Sequence, residues 1–421
     1  MNRTIAPHIY LPKHLDFINI HKETLDNNFP LYVISGTTQN ICELNIMYRA
    51  GRYFENKKLL ASLCAGMMKK GTSSKTAYQI NENFDFYGAT VKFRSNMYTA
   101  KLNLYCLSNQ LPEVLPKLIE VLTEVSFPEK EIKKTKEKIK QNLAVQKDKN
   151  SYIASLHFNQ AIFGKESTFG YFPKSEDLKN INRQDLKNFQ EAHWQLNSGS
   201  FATVSGNIGH KEIKLINQYL GKLKVINKTN DSIELNPIED KEIFIDAKNK
   251  HQAALRVGMP LFSYHHKDYY DFKILNTVLG GYFGSRLMSN IREEKGYTYG
   301  IYSFYTAIMN QGYFCIATDV GSEYKNATLH EIEKEINRLK NEPIGKEELE
   351  MVKNYLVGQL MKRVDGALST TKTLQSFLIF DNDLEKINEH LKIIHSITPA
   401  RLQALANEYL DYKNMYKVVV G

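Results

Sequence analysis

The stretch LPKLIEVLTEVSFPEKEIKKTKEKIKQNL, residues 115–143, decides the fold, because a counterpart of it returns far downstream. Leu115, Leu118, Ile119 and Leu122 recur at the three- and four-residue spacing of one helix face. Phe127-Pro128-Glu129 breaks that helix, and Ile132, Ile139 and Leu143 lay out the apolar side of a second. In the other half LHEIEKEINRLKNEPIGKEELEMVKNYLVGQL, residues 329–360, repeats the plan. Leu329, Ile332, Ile336 and Leu339 form the first face, Pro343-Ile344-Gly345 the break, and Leu349, Val352, Leu356 and Leu360 the second face. Glu131-Ile132 thereby aligns with Glu348-Leu349.

The correspondence extends outward. Ile181, Leu186 and Phe189 lead into the strand-like Phe201–Gly206, as Ile397, Leu402 and Leu405 lead into Tyr416–Gly421. Cys42–Tyr48 matches Ala253–Met259, and Thr99–Leu107 matches Gly312–Thr318. A single shared helix pattern would mean little, but a whole order of elements repeated in register predicts two homologous domains. Strands and helices mix without strict alternation, so each domain is expected to be α+β, an antiparallel-rich sheet with helices on one face. The expected boundaries are an N-terminal domain over 1–221, a linker over 222–242 and a C-terminal domain over 243–421. The linker assignment rests on a run rich in Lys, Asn, Asp, Thr and Ser without a period.

Composition narrows the class. The 421 residues are 42% apolar and 24% charged, the balance of an ordinary globular chain with room for two cores. Cys42, Cys64, Cys106 and Cys315 form no Cys-x-x-Cys pair and sit among apolar neighbours, which predicts buried free thiols. The net charge of +9 comes from lysines spread along the chain, with no arginine and aromatic patch, so a nucleic-acid partner is not expected. Residues 1–20 lack a cationic start followed by an apolar segment, and no apolar run reaches the ~18–20 residues that cross a bilayer. A cytoplasmic protein without a membrane span is the expectation, taking Met1 as the start.

The stretch Ala61-Ser62-Leu63-Cys64-Ala65-Gly66-Met67-Met68-Lys69-Lys70-Gly71-Thr72 resembles the signature helix of the pitrilysin/insulinase zinc metallopeptidase family, to which mitochondrial processing peptidase is related. The likeness continues through Thr76-Ala77, Tyr87-Gly88-Ala89, Phe169-Gly170, His193-Trp194, Asn197 and Val204–Ile208, and so covers essentially the whole chain. Family members carry H-x-x-E-H there. Two histidines four apart share a helix face and bind zinc, a distal glutamate completes the site, and the intervening glutamate activates water. Here the histidine positions hold Ser62 and Gly66, the base position holds Ala65, and Gln141 stands where the distal ligand falls. The resemblance therefore implies a degenerate zinc site and no metal cofactor in this chain. No substitute is evident: His265-His266 are adjacent and cannot converge as i, i+4 neighbours do, while His157, His193, His210 and His251 are isolated.

The second half keeps what the first has lost. Gly280-Gly281-Tyr282-Phe283-Gly284-Ser285-Arg286-Leu287 and Ile291-Arg292-Glu293-Glu294-Lys295-Gly296-Tyr297-Thr298-Tyr299 resemble the family's C-terminal half. In the family an arginine and a tyrosine seven residues later reach substrate near the zinc. The match places those roles on Arg292 and Tyr299, with Tyr297 the alternative tyrosine. A guanidinium suits peptide carbonyls, and a phenol can donate to the oxyanion formed as water attacks. Taken singly, Arg292 is as well explained by a neighbouring carboxylate and Tyr299 by an amphipathic strand, Tyr299–Tyr305, that follows a helix ending near Gly296. The glycine loop of Gly280, Gly281 and Gly284 lacks the Gly-Lys-Ser/Thr of a phosphate loop, so close backbone packing or a loop facing the chamber is expected.

The resemblance implies half of a clam-shell, a heterodimer with a zinc-bearing H-x-x-E-H subunit, and a peptide or unfolded segment as substrate. On that reading the chain does not cut a peptide bond alone. A non-catalytic structural or chaperone-like member and a homodimer with an unorthodox metal site remain the alternatives.

Overall fold

The computed structural model describes residues 10–37, 39–227, 236–247 and 250–421. Its strands are β1 (Ile20–Thr24), β2 (Pro30–Ser35), β3 (Cys42–Tyr48), β4 (Thr90–Ser95), β5 (Ala100–Cys106), β6 (Leu196–Asn197) and β7 (Phe201–Gly206). Beyond these come β8 (Val225–Ile226), β9 (Glu242–Ile245), β10 (Gln252–Leu261), β11 (Thr298–Ile308), β12 (Gln311–Gly321) and β13 (Tyr416–Val420). Among the described residues one sheet runs β1-β2-β7-β3-β5-β4 and a second runs β11-β12-β10-β13-β9. Within these two sheets, neighbours are antiparallel except the parallel pairs β2/β7 and β9/β13. With β1 set aside, β2, β7, β3, β5 and β4 correspond in order and direction to β9, β13, β10, β12 and β11. The sequence repeat is a repeat of topology, and the fold is α+β with two like domains.

Helix packing follows the apolar stripes. In the first domain Leu115, Leu118 and Leu122 of the helix Leu111–Thr123 join Ile132 and Leu143 of Glu129–Lys147 in one core with Leu44 and Ile46 of β3. In the second, Ile332, Ile336 and Leu339 of Lys325–Asn341 join Leu349, Val352 and Leu360 of Lys346–Arg363. The other faces of the sheets are covered by exchange. The helix Asn150–Phe163 of the first half brings Ala154, Phe158 and Ile162 against Ala254, Tyr416 and Val418 of the second sheet. Full burial of a side chain the size of Phe158 or Ile162 contributes roughly 1.5–3 kcal/mol. Reciprocally, the helix Gly366–Leu378 lies on β2 and β7, where Gln375 donates to Thr203 Oγ1 at 2.7 Å and accepts from Lys101 Nζ at 2.9 Å. All seven residues of β3, which lies between β7 and β5, are buried.

The chain also crosses between halves at its start. Leu15 exchanges backbone hydrogen bonds with the Asn388 side chain, and its side chain joins the second core. Of the stretch expected to be a linker, Val225–Ile226 pairs in parallel with Leu196–Asn197 and Glu242 opens β9, while residues 228–235 lie outside the described residues. No helix among the described residues is long and apolar enough to cross a membrane.

Candidate functional site

Ser62, Ala65 and Gly66, in the stretch that resembles the family's zinc signature, lie on the helix Leu60–Met67. Glu55 fixes its start: the carboxylate accepts from the Ala61 amide at 3.0 Å, the Leu59 amide at 3.3 Å and the Tyr171 hydroxyl. Burial pushes the Glu55 carboxyl above the usual carboxylate range, against the pull of those hydrogen bonds and of Arg52. Ser62 and Gly66, four apart, are exposed, whereas Ala65 is buried. Gln141 is exposed on Glu129–Lys147, which passes so close that a Cβ on Gly66 would lie 3.3 Å from Thr135 Cγ2.

Zinc can be tested here on donor chemistry. A hydroxyl, a neutral amide and a position with no side chain do not make the imidazole and carboxylate set that zinc takes. The residues do not fit the metal. Among the described residues no group of three or more His, Cys, Asp or Glu side chains is placed to hold one.

The region of Gly280 to Tyr299 is built on a scaffold with much of its polarity paired inside the domain. Thr277–Gly281 and Met288–Glu294 form wide helical turns. Gly280 is buried where such a turn meets β11, and a Cβ there would lie 2.6 Å from the Ser303 amide nitrogen. Close approach to a strand, not an anion, accounts for that glycine. Arg286, nearly buried, holds Glu348 through paired hydrogen bonds of 2.8 and 2.9 Å. Asn290 Nδ2 donates to both Glu331 and Glu335 at 2.8 Å. These contacts tie the Met288–Glu294 turn to the helices behind it.

Arg292 sits on that turn with its side chain 35% exposed, its guanidinium 4.6 Å from the centre of the Phe283 ring and 3.9 Å from Glu293. An exposed pair of this kind is worth at most about 1 kcal/mol and leaves the guanidinium's donors usable. Gly296, at φ +66°, turns the chain into the strand. Tyr297 is half-buried and stacked on Tyr324 at 4.6 Å and 11°. Tyr299, by contrast, is 97% exposed. It borders an open groove of about 300 Å³ whose walls include Arg256, Tyr302, Thr318 and Asp319.

Sequence reasoning missed Glu55, Glu348 as the partner of Arg286, and the threonines beside Tyr299. The repeat had placed Glu348 on a helix start, but ion pairing across 62 residues carries no local signal. The strand expected over Tyr299–Tyr305 begins one residue earlier and runs to Ile308.

A chain of two like α+β domains, each a mostly antiparallel sheet with packed helices, has the architecture of an M16 half-clamshell. Residues 32–169 match the family described as Insulinase (Peptidase family M16), and residues 180–356 match the Peptidase M16 inactive domain. The chain belongs to the M16 peptidase family. An uncharacterized zinc protease, YmxG, of Bacillus subtilis is 24% identical over 397 residues, covering 92% of this chain and 95% of that one. A Helicobacter pylori non-peptidase homolog, also YmxG, is 22% identical over 390 residues, 87% and 89% of the two chains. The mitochondrial-processing peptidase subunit beta of Caenorhabditis elegans is 21% identical over 293 residues, 67% and 63% of the two. In fold, the crystal structure of a peptidase M16 inactive domain from Pseudomonas fluorescens superimposes with a TM-score of 0.85 at 21% identity, covering 96% of this chain and 98% of that one.

Proposed function

We propose that this chain is the non-zinc, substrate-binding subunit of a two-chain M16 metallopeptidase of the cytoplasm. A family partner bearing H-x-x-E-H supplies the zinc and the general base, and Arg292 and Tyr299 complete its site. Peptides or unfolded segments are the substrate. The partner's metal supplies the activated water. In this chain the Arg292 guanidinium holds peptide carbonyl oxygens, and the Tyr299 hydroxyl donates to the oxygen that becomes negative as the carbonyl is attacked.

One observation carries the reading. Tyr299 is 97% exposed two residues from the fully buried Ile301, so folding of this chain gives the phenol nothing to do. Tyr297 is the poorer candidate because its ring is committed to Tyr324. A specific observation favours the second reading, a non-catalytic structural member: Arg292 already has Phe283 and Glu293 as partners within the chain. The Helicobacter pylori relative described as a non-peptidase homolog points the same way.

Co-expression with an H-x-x-E-H subunit of similar size from the same organism tests the proposal. A complex of about twice the 48.5 kDa chain mass is expected, with chelator-sensitive peptidase activity that neither subunit has alone. Tyr299→Phe should lower kcat on the order of 10²–10³ with assembly intact, since one oxyanion donor is lost. Tyr297→Phe should stay near wild type. Equal activity in both variants would leave Tyr299 without a catalytic role, and a stoichiometric zinc in the isolated chain would sink the division of labour.

A further inference from the structure

We infer that Thr298 and Thr318 are positioning residues: their hydroxyls lock a β-bulge that turns Tyr299 out of the sheet toward substrate. The inference rests on the reading of Tyr299 given above. Side chains along a strand alternate between faces, and a shift of one residue exchanges the faces. Along β11, Ile301 and Ser303 are buried while Tyr302 and Phe304 are exposed. Counting back by two from Ile301 puts Tyr299 on the buried side. Its 97% exposure contradicts that parity.

The pairing explains the contradiction. Thr298 stands opposite Val320 and Ile301 opposite Thr318, so Tyr299 and Gly300 together face Asp319 alone. An extra residue in one strand breaks the ladder locally and re-aims the side chains beside it. It also leaves backbone groups without ladder partners, and buried orphans of that kind are costly.

Two threonine hydroxyls supply the missing partners. Thr298 Oγ1 lies 2.7 Å from the Asp319 carbonyl oxygen, 3.1 Å from the Gly300 amide nitrogen and 3.0 Å from the Gly300 carbonyl oxygen. Thr318 Oγ1 lies 3.0 Å from Thr298 Oγ1 and 3.0 Å from the Gly300 carbonyl oxygen. Each hydroxyl has one proton. With Thr298 donating to Asp319 and accepting from the Gly300 amide, Thr318 is free to donate to the Gly300 carbonyl. That assignment satisfies all three backbone groups at once. Thr318 is only 4% exposed, so water cannot readily replace it. The Tyr302 phenol closes the arrangement: a Cβ on Gly300 would lie 2.8 Å from its hydroxyl oxygen.

The test uses Thr298→Val, which removes the hydroxyl at nearly constant shape, and Thr298→Ser, which keeps it. In the reconstituted complex Thr298→Val should lower kcat by about tenfold to a hundredfold, the usual effect of displacing a catalytic group by an ångström, with KM little changed. Thr298→Ser should restore it. In a Tyr299→Phe background Thr298→Val should cost nothing further, because the threonine acts only through that phenol. Wild-type kcat in Thr298→Val beside an impaired Tyr299→Phe overturns the positioning role while leaving the substrate reading standing. An undiminished further loss in the Tyr299→Phe background overturns it as well. A silent Tyr299→Phe overturns the substrate reading itself, and with it this inference. Amide hydrogen exchange on the isolated chain gives a readout independent of activity. The segment 298–302 should exchange faster in Thr298→Val and at the wild-type rate in Thr298→Ser, with β12 unaffected. Unchanged exchange in Thr298→Val refutes the hydroxyl lock.

Discussion

The same substitution, glycine to alanine, should have opposite consequences at two places in the C-terminal domain. At Gly280 an added Cβ meets the Ser303 amide nitrogen at 2.6 Å, Ser303 Oγ at 2.7 Å and Leu287 Cδ1 at 3.0 Å. Neither Ser303 atom can retreat. The residue is paired with Ile316 in the sheet, its hydroxyl donates to the Asn276 carbonyl at 3.1 Å, and Asn276 Nδ2 donates back to the Ser303 carbonyl at 3.2 Å. A methyl group forced several tenths of an ångström inside contact distance of a held backbone costs about 1–3 kcal/mol. Gly358 is exposed within the helix Lys346–Arg363, and a Cβ there meets nothing within 4 Å. Alanine at that position should stabilise by roughly 0.5–1 kcal/mol through helix propensity and a less free unfolded chain. Neither glycine has a positive φ, so backbone strain does not confuse the comparison. Thermal unfolding followed by circular dichroism should put Gly280→Ala below wild type and Gly358→Ala above it, by about 2–4 °C per kcal/mol for domains of this size. A Gly280→Ala protein as stable as wild type would refute the close approach of the wide turn to β11, and with it the account of that glycine.

Three further outcomes are expected. Glu348→Ala strands the Arg286 guanidinium in a nearly buried position and should cost on the order of 3–5 kcal/mol in urea unfolding, much of it recovered when Arg286→Met is added. Glu55→Ala removes the acceptor for the Leu59 and Ala61 amides and the Tyr171 hydroxyl, so destabilisation of about 2–4 kcal/mol should follow, with Tyr171→Phe adding little to it. Burial first, then the charges of Lys273 and Arg363, holds the His390 imidazole well below its usual range. The unfolded chain takes up that proton as pH falls through about 6.5 and the folded chain does not, so stability present above this pH is lost below it. Urea midpoints at pH 7 and pH 5 should therefore fall less in His390→Phe than in wild type.

Much of the fold was legible because both periods involved are local. Leu115, Leu118 and Leu122 declare a helix face within three turns, and Cys42–Tyr48 and Phe201–Gly206 are strands with the bounds their composition suggested. The exchange of helices between halves was not legible. Ala154, Phe158 and Ile162 announce an apolar face, but nothing in their spacing says that the sheet beneath belongs to the other half. Val225–Ile226 was hidden for a different reason: two residues cannot display a period.

The site divides along the same line. The family resemblance singled out Arg292 and Tyr299 by their interval of seven residues, yet such an interval counts residues along a regular strand, and β11 is not regular there. A bulge depends on which backbone groups of β12 stand opposite, and on Thr318 being within reach of Gly300, neither of which is written near Tyr299 in sequence. The two half-sites consequently differ in what holds them. Ser62, Ala65 and Gly66 need nothing beyond an ordinary helix that Glu55 starts. Keeping Tyr299 in water requires an interrupted ladder, two threonine hydroxyls and a glycine, where a plain strand would have paired every amide and buried the ring. Packing alone favours the plain strand. What the bulge turns out from the sheet instead is a phenol hydroxyl, the hydrogen-bond donor on which the proposed substrate contact rests.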